Sequence, residues 1–290
     1  MKNQFFAFAQ ARQDKYLVKE GQMSSSDDKD VILSSWYFTN VYRENDKTTV
    51  WFRENVRRDL QLQPEVIPAT MLFRWFNRRD IGETIFCQLS LLHGMSAFEQ
   101  YVLRRDIQEL KSSILNSHPE GPYVNGAYII KAYNGMDKLS GVLTAFDEAM
   151  KQIDIDHGSY QQLAEWMILN PSMEETTKYF STLGYLGKFM AYEIVCDLRY
   201  TIYLAEATDR MTWANPGPGA RRGLARILGH PPGYHISTRD CVVMMRELLA
   251  ESVLREWTDW EMREVEHTLC EFDKYRRIAE GGRGKRRYLR

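Results

Sequence analysis

The stretch of this chain best suited to chemistry is Ala214-Asn215-Pro216-Gly217-Pro218-Gly219-Ala220-Arg221-Arg222-Gly223-Leu224-Ala225-Arg226. Its prolines mark a helix start, its glycines leave amides open, and its arginines follow within one turn. Helix N-terminal amides and guanidinium groups both bind anions such as phosphate or pyrophosphate. The same residues also suit a rigid connection between helices with a solvated basic face. A second glycine turn, Leu183-Gly184-Tyr185-Leu186-Gly187-Lys188-Phe189-Met190-Ala191, joins two helical stretches, whether as a plain αα-hairpin or as a place where backbone amides meet a phosphate. The chain end is basic: Arg283, Lys285, Arg286, Arg287 and Arg290 put five positive charges and no acid into the last ten residues of a 290-residue chain of net charge −1. An acidic body with a basic tail points to a polyanionic partner, although such tails also act as solubilising ends.

Other chemistries find little support. The four cysteines, Cys87, Cys196, Cys241 and Cys270, are solitary, with neither a C-x-x-C pair nor a zinc-like Cys/His spacing, so no metal and no cofactor is expected. The apolar run Phe5–Ala9 is shorter than a signal-peptide core, and no run approaches eighteen apolar residues, which predicts a cytoplasmic protein with reduced thiols and no membrane partner. No G-x-x-x-x-G-K-[ST] run is present to cradle donor phosphates: Gly187-Lys188 is followed by Phe189, and Gly284-Lys285 by Arg286.

These residues must be positioned by helices. With 44% hydrophobic residues the chain has ample apolar material for a core, and strand signals are weak, so the fold class is all-α. The polar run Ser24–Asp30 separates an N-terminal arm, residues 1–30, from a body at 31–280 and a basic tail at 281–290. The aromatic- and arginine-rich segment from Ile32 to Leu60 suits nucleic acid, or equally a helix with an apolar face and a solvated one. Asn170-Pro171-Ser172 with Glu174 and Glu175 predicts a helix start, with a second helix after Gly187 burying Phe189, Ala191, Ile194, Val195 and Leu198. Ser237 with Asp240 opens a stretch whose apolar positions include Val243, Leu248, Val253 and Leu254. The last helix aligns Met262, Val265, Leu269 and Phe272 and leaves Glu264, Glu271 and Lys274 on another face.

The turn at 183–191 resembles the helix-hairpin-helix of base-excision DNA glycosylases, L-P-G-h-G-x-x-x-A, with Gly184 in place of the proline and Tyr185 in place of the first glycine. Where those enzymes carry a catalytic aspartate before a comparable arginine helix, this chain has Asn215 and Pro216, and the nearest upstream acids are Asp209 and Asp197. More broadly, Phe38-Thr39-Asn40-Val41-Tyr42-Arg43-Glu44-Asn45-Asp46, Leu72-Phe73-Arg74-Trp75-Phe76-Asn77, Gly126-Ala127-Tyr128, the segment Gly187–Leu198, the 217–223 loop and Glu266-His267-Thr268-Leu269-Cys270-Glu271-Phe272-Asp273-Lys274-Tyr275 resemble, in order, the glycosylase-related helical domain of bacteriophage thymidine hypermodification. That family includes the amino acid:DNA transferases, also called α-glutamyl/putrescinyl thymine pyrophosphorylases, and the helical domain attached to 5-hydroxymethyluracil DNA kinases. Without a P-loop, the chain resembles the transferases more than the kinases.

The resemblance implies a helix-hairpin-helix glycosylase-like fold in the cytoplasm of an infected host. It also implies a substrate, double-stranded DNA carrying 5-pyrophosphoryloxymethyl-deoxyuridine, and a second one, a free amino acid or amine such as glycine, which displaces pyrophosphate at the C5 methylene. On that reading Arg43, Arg221, Arg222 and the Gly217 and Gly219 amides hold the leaving group. Asp197, four residues beyond Glu193, takes the amine's proton, with Glu271 and Lys274 also catalytic. Asn40, Tyr192, Glu193 and Arg199 bind substrate, with Tyr192, Phe38 or Trp36 stacking on an extruded base. Gly184, Gly187, Lys188, Arg283, Lys285, Arg286 and Arg287 contact DNA. A glycosylase acting on a modified base, or a DNA-binding protein without catalysis, are the alternatives.

Overall fold

The computed structural model describes residues 1–24, 30–87, 95–126, 133 and 135–284. The protein is 66% helical, with no strand among the described residues. The helices in chain order are α1 (Lys2–Lys19), α2 (Val31–Ser35), α3 (Lys47–Phe52), α4 (Arg58–Leu60), α5 (Val66–Phe76), α6 (Arg79–Phe86), α7 (Ala97–Arg104) and α8 (Ile107–Ser117). They continue with α9 (Lys138–His157), α10 (Tyr160–Leu169), α11 (Met173–Phe180), α12 (Gly187–Leu198), α13 (Pro218–Ile227), α14 (Thr238–Val253) and α15 (Met262–Ala279). None is long and apolar enough to cross a membrane among the described residues. The predicted starts are observed: the Ser172 hydroxyl accepts from Glu175 N–H at 3.1 Å and the Ser237 hydroxyl from Asp240 N–H at 3.1 Å, each opening a helix one residue on.

The chain divides into two compact units at places other than the expected boundaries. Unit 1 is Met1–Asp46 with Asp209–Arg290, and unit 2 is Lys47–Thr208. The expected N-terminal arm is part of a core: Phe5, Phe6 and Phe8 of α1 are buried, and Phe5 meets Phe272 edge-to-face at 5.8 Å and Trp260 at 6.2 Å. α15 is the spine of unit 1, burying Met262, Val265, Leu269 and Phe272 as the periodicity predicts. Glu264, expected on another face, is buried as well, because Arg263 beside it supplies a counterion at 3.2 Å. Val243, Val253 and Leu254 are apolar positions that face outward. They lie 45%, 52% and 85% exposed, since α14 presents Cys241, Met245, Leu248 and Leu249 to the core instead.

Unit 2 is built around α5, all eleven residues of which are buried. Phe73 stacks on Phe52 at 4.5 Å, and Asn77 ends the helix in the left-handed region at φ 48°. A helix surrounded on every side cannot leave its one charged residue, Arg74, to solvent, so a carboxylate must come inside with it.

Candidate functional site

That carboxylate is Asp197 of α12. Arg74 donates to both of its oxygens, through Nη2 to Oδ1 at 2.7 Å and through Nε to Oδ2, and Arg57 Nη1 lies 3.6 Å from Oδ1. The same guanidinium donates to Asn77 Oδ1 at 2.9 Å and Thr49 Oγ1 at 3.1 Å. Asp197 is 0% exposed and Arg74 1%. A carboxylate so enclosed holds three elements together and is not placed to take a proton from an incoming amine, which corrects the reading of Asp197 as a base. Arg74 and Arg57 both pair with it, and Arg199 lies over the Tyr200 ring at 5.0 Å, with Arg57 over the same ring at 4.8 Å. Tyr192 and Glu193 are buried in α12, at 4% and 5% exposure, so neither presents a face to a substrate in this structure.

α12 begins at the glycine turn. Tyr185, at the position of the motif's first glycine, has φ 67°, and Gly187 has φ 58°. The turn therefore keeps a glycine's backbone where the residue is tyrosine. No side chain caps the start of α12, and nothing lies within 4 Å of where a Cβ would stand on Gly184 or Gly187. Gly184, Gly187 and Lys188 are exposed, as is Phe189 at 48%, although the periodicity predicts Phe189 in the core. An uncapped helix start with open space at its glycines and a lysine beside it is the kind of place where a helix accepts an anion.

The 217–226 segment is arranged differently. Gly217 N–H donates to Glu266 Oε1 at 3.1 Å, so the protein's own carboxylate takes the anion position at the start of α13. A Cβ on Gly219 would stand 2.3 Å from Cys270 Sγ, and one on Gly223 2.5 Å from the Leu269 carbonyl oxygen. These glycines let α13 close onto α15. Arg221 donates to the carbonyls of Pro216 and Ile236 at 3.1 and 2.6 Å and to Thr238 Oγ1 at 2.7 Å, and Arg222 pairs with Asp273 at 2.7 Å. The pyrophosphate cradle expected here is a helix–helix seam whose cations are engaged internally. Sequence spacing shows the glycines and arginines but not the distant Glu266 and Asp273 that occupy them.

Other predicted residues of unit 1 do come together, on another face of α15. Arg12 donates to the carbonyls of Phe38 and Thr39 and to Asn40 Oδ1 at 3.1, 2.9 and 2.5 Å. Glu271 accepts from Thr39 N–H and from Lys274 Nζ, both at 3.1 Å, and Lys274 lies 4.7 Å over the Phe38 ring. His267 Nε2 shares a hydrogen bond with Thr39 Oγ1 at 2.8 Å. Asn40 N–H donates to Asp46 Oδ1 at 2.9 Å, and burial raises the Asp46 carboxyl to about 6. Burial, with Arg43, Arg263 and Lys274 nearby, pushes His267 down to about 3, so its ring is neutral at ordinary pH. Arg43 is buried in the same segment, and Phe38, expected as a base-stacking ring, is 2% exposed. Trp36 lies under the backbone of Gly284. Sequence reasoning gave no role to Arg12, which stands outside the quoted motifs, or to Asp46 and His267, which lie within them. Arg283 is exposed; Lys285, Arg286 and Arg287, together with Ala127-Tyr128 of the quoted motifs, lie outside the described residues.

Residues 1–283 match the family described as the helical domain of 5-hmdU DNA kinase. The chain belongs to this family. The match takes in α1, the glycine turn of α11 and α12, and all of α15, so it covers unit 2 and unit 1 as far as residue 283. Among curated proteins, the 5-hmdU DNA kinase of Bacillus phage SP10 is 26% identical over 268 residues, 85% of this chain and 40% of that kinase. The chain thus spans 40% of the length of that relative. No solved structure matches.

Proposed function

We propose that the chain acts on DNA in bacteriophage thymidine hypermodification, as an amino acid:DNA transferase. Pyrophosphate leaves the C5 methylene of 5-pyrophosphoryloxymethyl-deoxyuridine as the C–O bond breaks, the amine nitrogen forms a bond to that carbon, and a carboxylate accepts the ammonium proton. The reading is carried by one observation: residues 1–283 belong to the helical-domain family of a modified-thymidine kinase. DNA contact falls to the open turn at Gly184, Gly187 and Lys188 and to the basic residues from Arg283 onward. Proton transfer falls to the Glu271–Lys274 pair, whose side chains are 14% and 19% exposed where Asp197 has no access at all.

Incubating the protein with DNA containing 5-pyrophosphoryloxymethyl-deoxyuridine and a panel of glycine, serine, glutamate and putrescine, then identifying nucleosides by mass spectrometry, tests the reading. One amine-bearing nucleoside with matching pyrophosphate release is expected. Abasic sites would turn the reading to a glycosylase, and bound but unchanged DNA to a protein without catalysis.

A further inference from the structure

An aromatic step stands at the glycine turn of unit 2. The Tyr185 ring stacks on Tyr133, with centroids 4.5 Å apart and planes at 29°. Tyr185 holds that position with φ 67°, a conformation glycine adopts freely and an aromatic residue rarely does. Strain of this kind persists where a side chain is needed at that point. Both rings are partly exposed, and Phe189 lies four residues on at 48% exposure, next to Lys188. Tyr133 is tied to the start of α9, donating from its N–H to the Gly141 carbonyl at 3.4 Å and accepting from Met136 N–H at 3.4 Å. Gly135, two residues beyond it, lines a cavity of about 430 Å³ whose lining mixes Ile107, Met136 and Leu143 with Lys111, Asp137 and Thr144. A stacked pair of partly exposed rings offers a flat aromatic face of the kind on which a nucleobase stacks.

We propose that Tyr185 and Tyr133 form a stacking platform for one nucleobase displaced from a DNA duplex, the open amides of the turn holding the adjoining phosphate. The platform rests on the DNA-binding part of the reading above. It differs from the buried Tyr192 and Phe38 in having ring surface left to offer.

The test uses the full chain and two fluorescein-labelled 20-base-pair duplexes, one fully paired and one with a single unpaired thymine, compared by anisotropy. The parent is expected to prefer the unpaired-base duplex about tenfold, the scale of one base stacked on an aromatic ring. Tyr185→Gly, which suits the backbone, and Tyr133→Leu should each remove that preference while keeping affinity for the paired duplex and the circular dichroism spectrum. Tyr185→Phe should restore it. Preference retained in both variants, or absent in the parent, overturns the platform. If the preference behaves as expected but no amine is transferred to pyrophosphorylated DNA, the platform stands and the transferase reading falls. If transfer occurs with no such preference, the reverse holds.

Discussion

The two glycine turns of this protein carry similar residues and have opposite surroundings. In unit 1, Gly217, Gly219 and Gly223 start α13 beside three arginines, and most of these features are engaged within the protein: the Gly217 amide by Glu266, the Gly219 and Gly223 Cα positions by Cys270 and Leu269, and the guanidinium groups by carbonyls, Asp273 and Glu280, with the Arg222 side chain still 39% exposed. In unit 2, Gly184 and Gly187 start α12 beside one lysine, with empty space where side chains would be. A glycine- and cation-rich helix start is therefore an anion site only when no distant carboxylate has already filled it. The richer motif here is structural and the poorer one is open.

The largest expected effect separates packing from access within unit 2. Asp197→Asn strips the buried Arg74 and Arg57 of their counterion, a loss of about 3–5 kcal/mol. Differential scanning fluorimetry should show melting fall by roughly 10 °C, and DNA affinity measured on the remaining folded fraction should be unchanged. A variant that melts like the parent yet turns over far more slowly would return Asp197 to catalysis. Next, Gly223→Ala drives a methyl against the Leu269 carbonyl and should lower melting by roughly 5 °C, an overpacking cost. No change in melting would mean that α13 and α15 are not closed on one another.

A smaller, pH-dependent effect belongs to the segment that Glu271 and Arg12 hold. The Asp46 carboxyl is raised by burial from 3.8 to about 6, so the folded state binds the proton more tightly than the unfolded chain. Its contribution is fully present below about pH 3.8 and is lost as pH rises through 6. Asp46→Asn keeps an acceptor for Asn40 N–H and cannot ionise, so its melting temperature relative to the parent should climb between pH 4 and pH 7, by roughly 2–5 °C. His267, pushed down to about 3, has the opposite sign: its contribution is present above about 6.5 and is lost as pH falls toward 3, so His267→Gln should narrow its deficit against the parent as the buffer is acidified. Flat gradients would mean that these groups are solvated.

How much of this was legible in the sequence follows from where each signal resides. Helix class, the caps at Ser172 and Ser237, and the α15 stripe are local patterns and were readable. Phe189 was misread because helical periodicity places it among apolar neighbours but says nothing of the face that lies over a turn. The two-unit division was hidden because α1 joins α15 from the far end of the chain. The occupants of the α13 start were hidden for the same reason: Glu266 is 49 residues from Gly217 and Asp273 is 51 from Arg222. The open turn was readable as a motif, and only its emptiness required the fold.

The smallest change carries the most direct contrast. Gly184→Ala meets open space and has no positive φ to strain, so melting should stay within about 1 °C. Its methyl would crowd an approaching phosphate, lowering duplex affinity roughly fivefold, where the same substitution at Gly223 costs stability.

Hydrogen exchange read by mass spectrometry on the full chain, with and without duplex DNA containing 5-pyrophosphoryloxymethyl-deoxyuridine, tests the contrast between the turns in one measurement. DNA should slow exchange in peptides covering residues 183–190 and leave those covering 217–227 as they were. Protection at 217–227 with none at 183–190 would contradict it, and would return the arginine helix to the DNA.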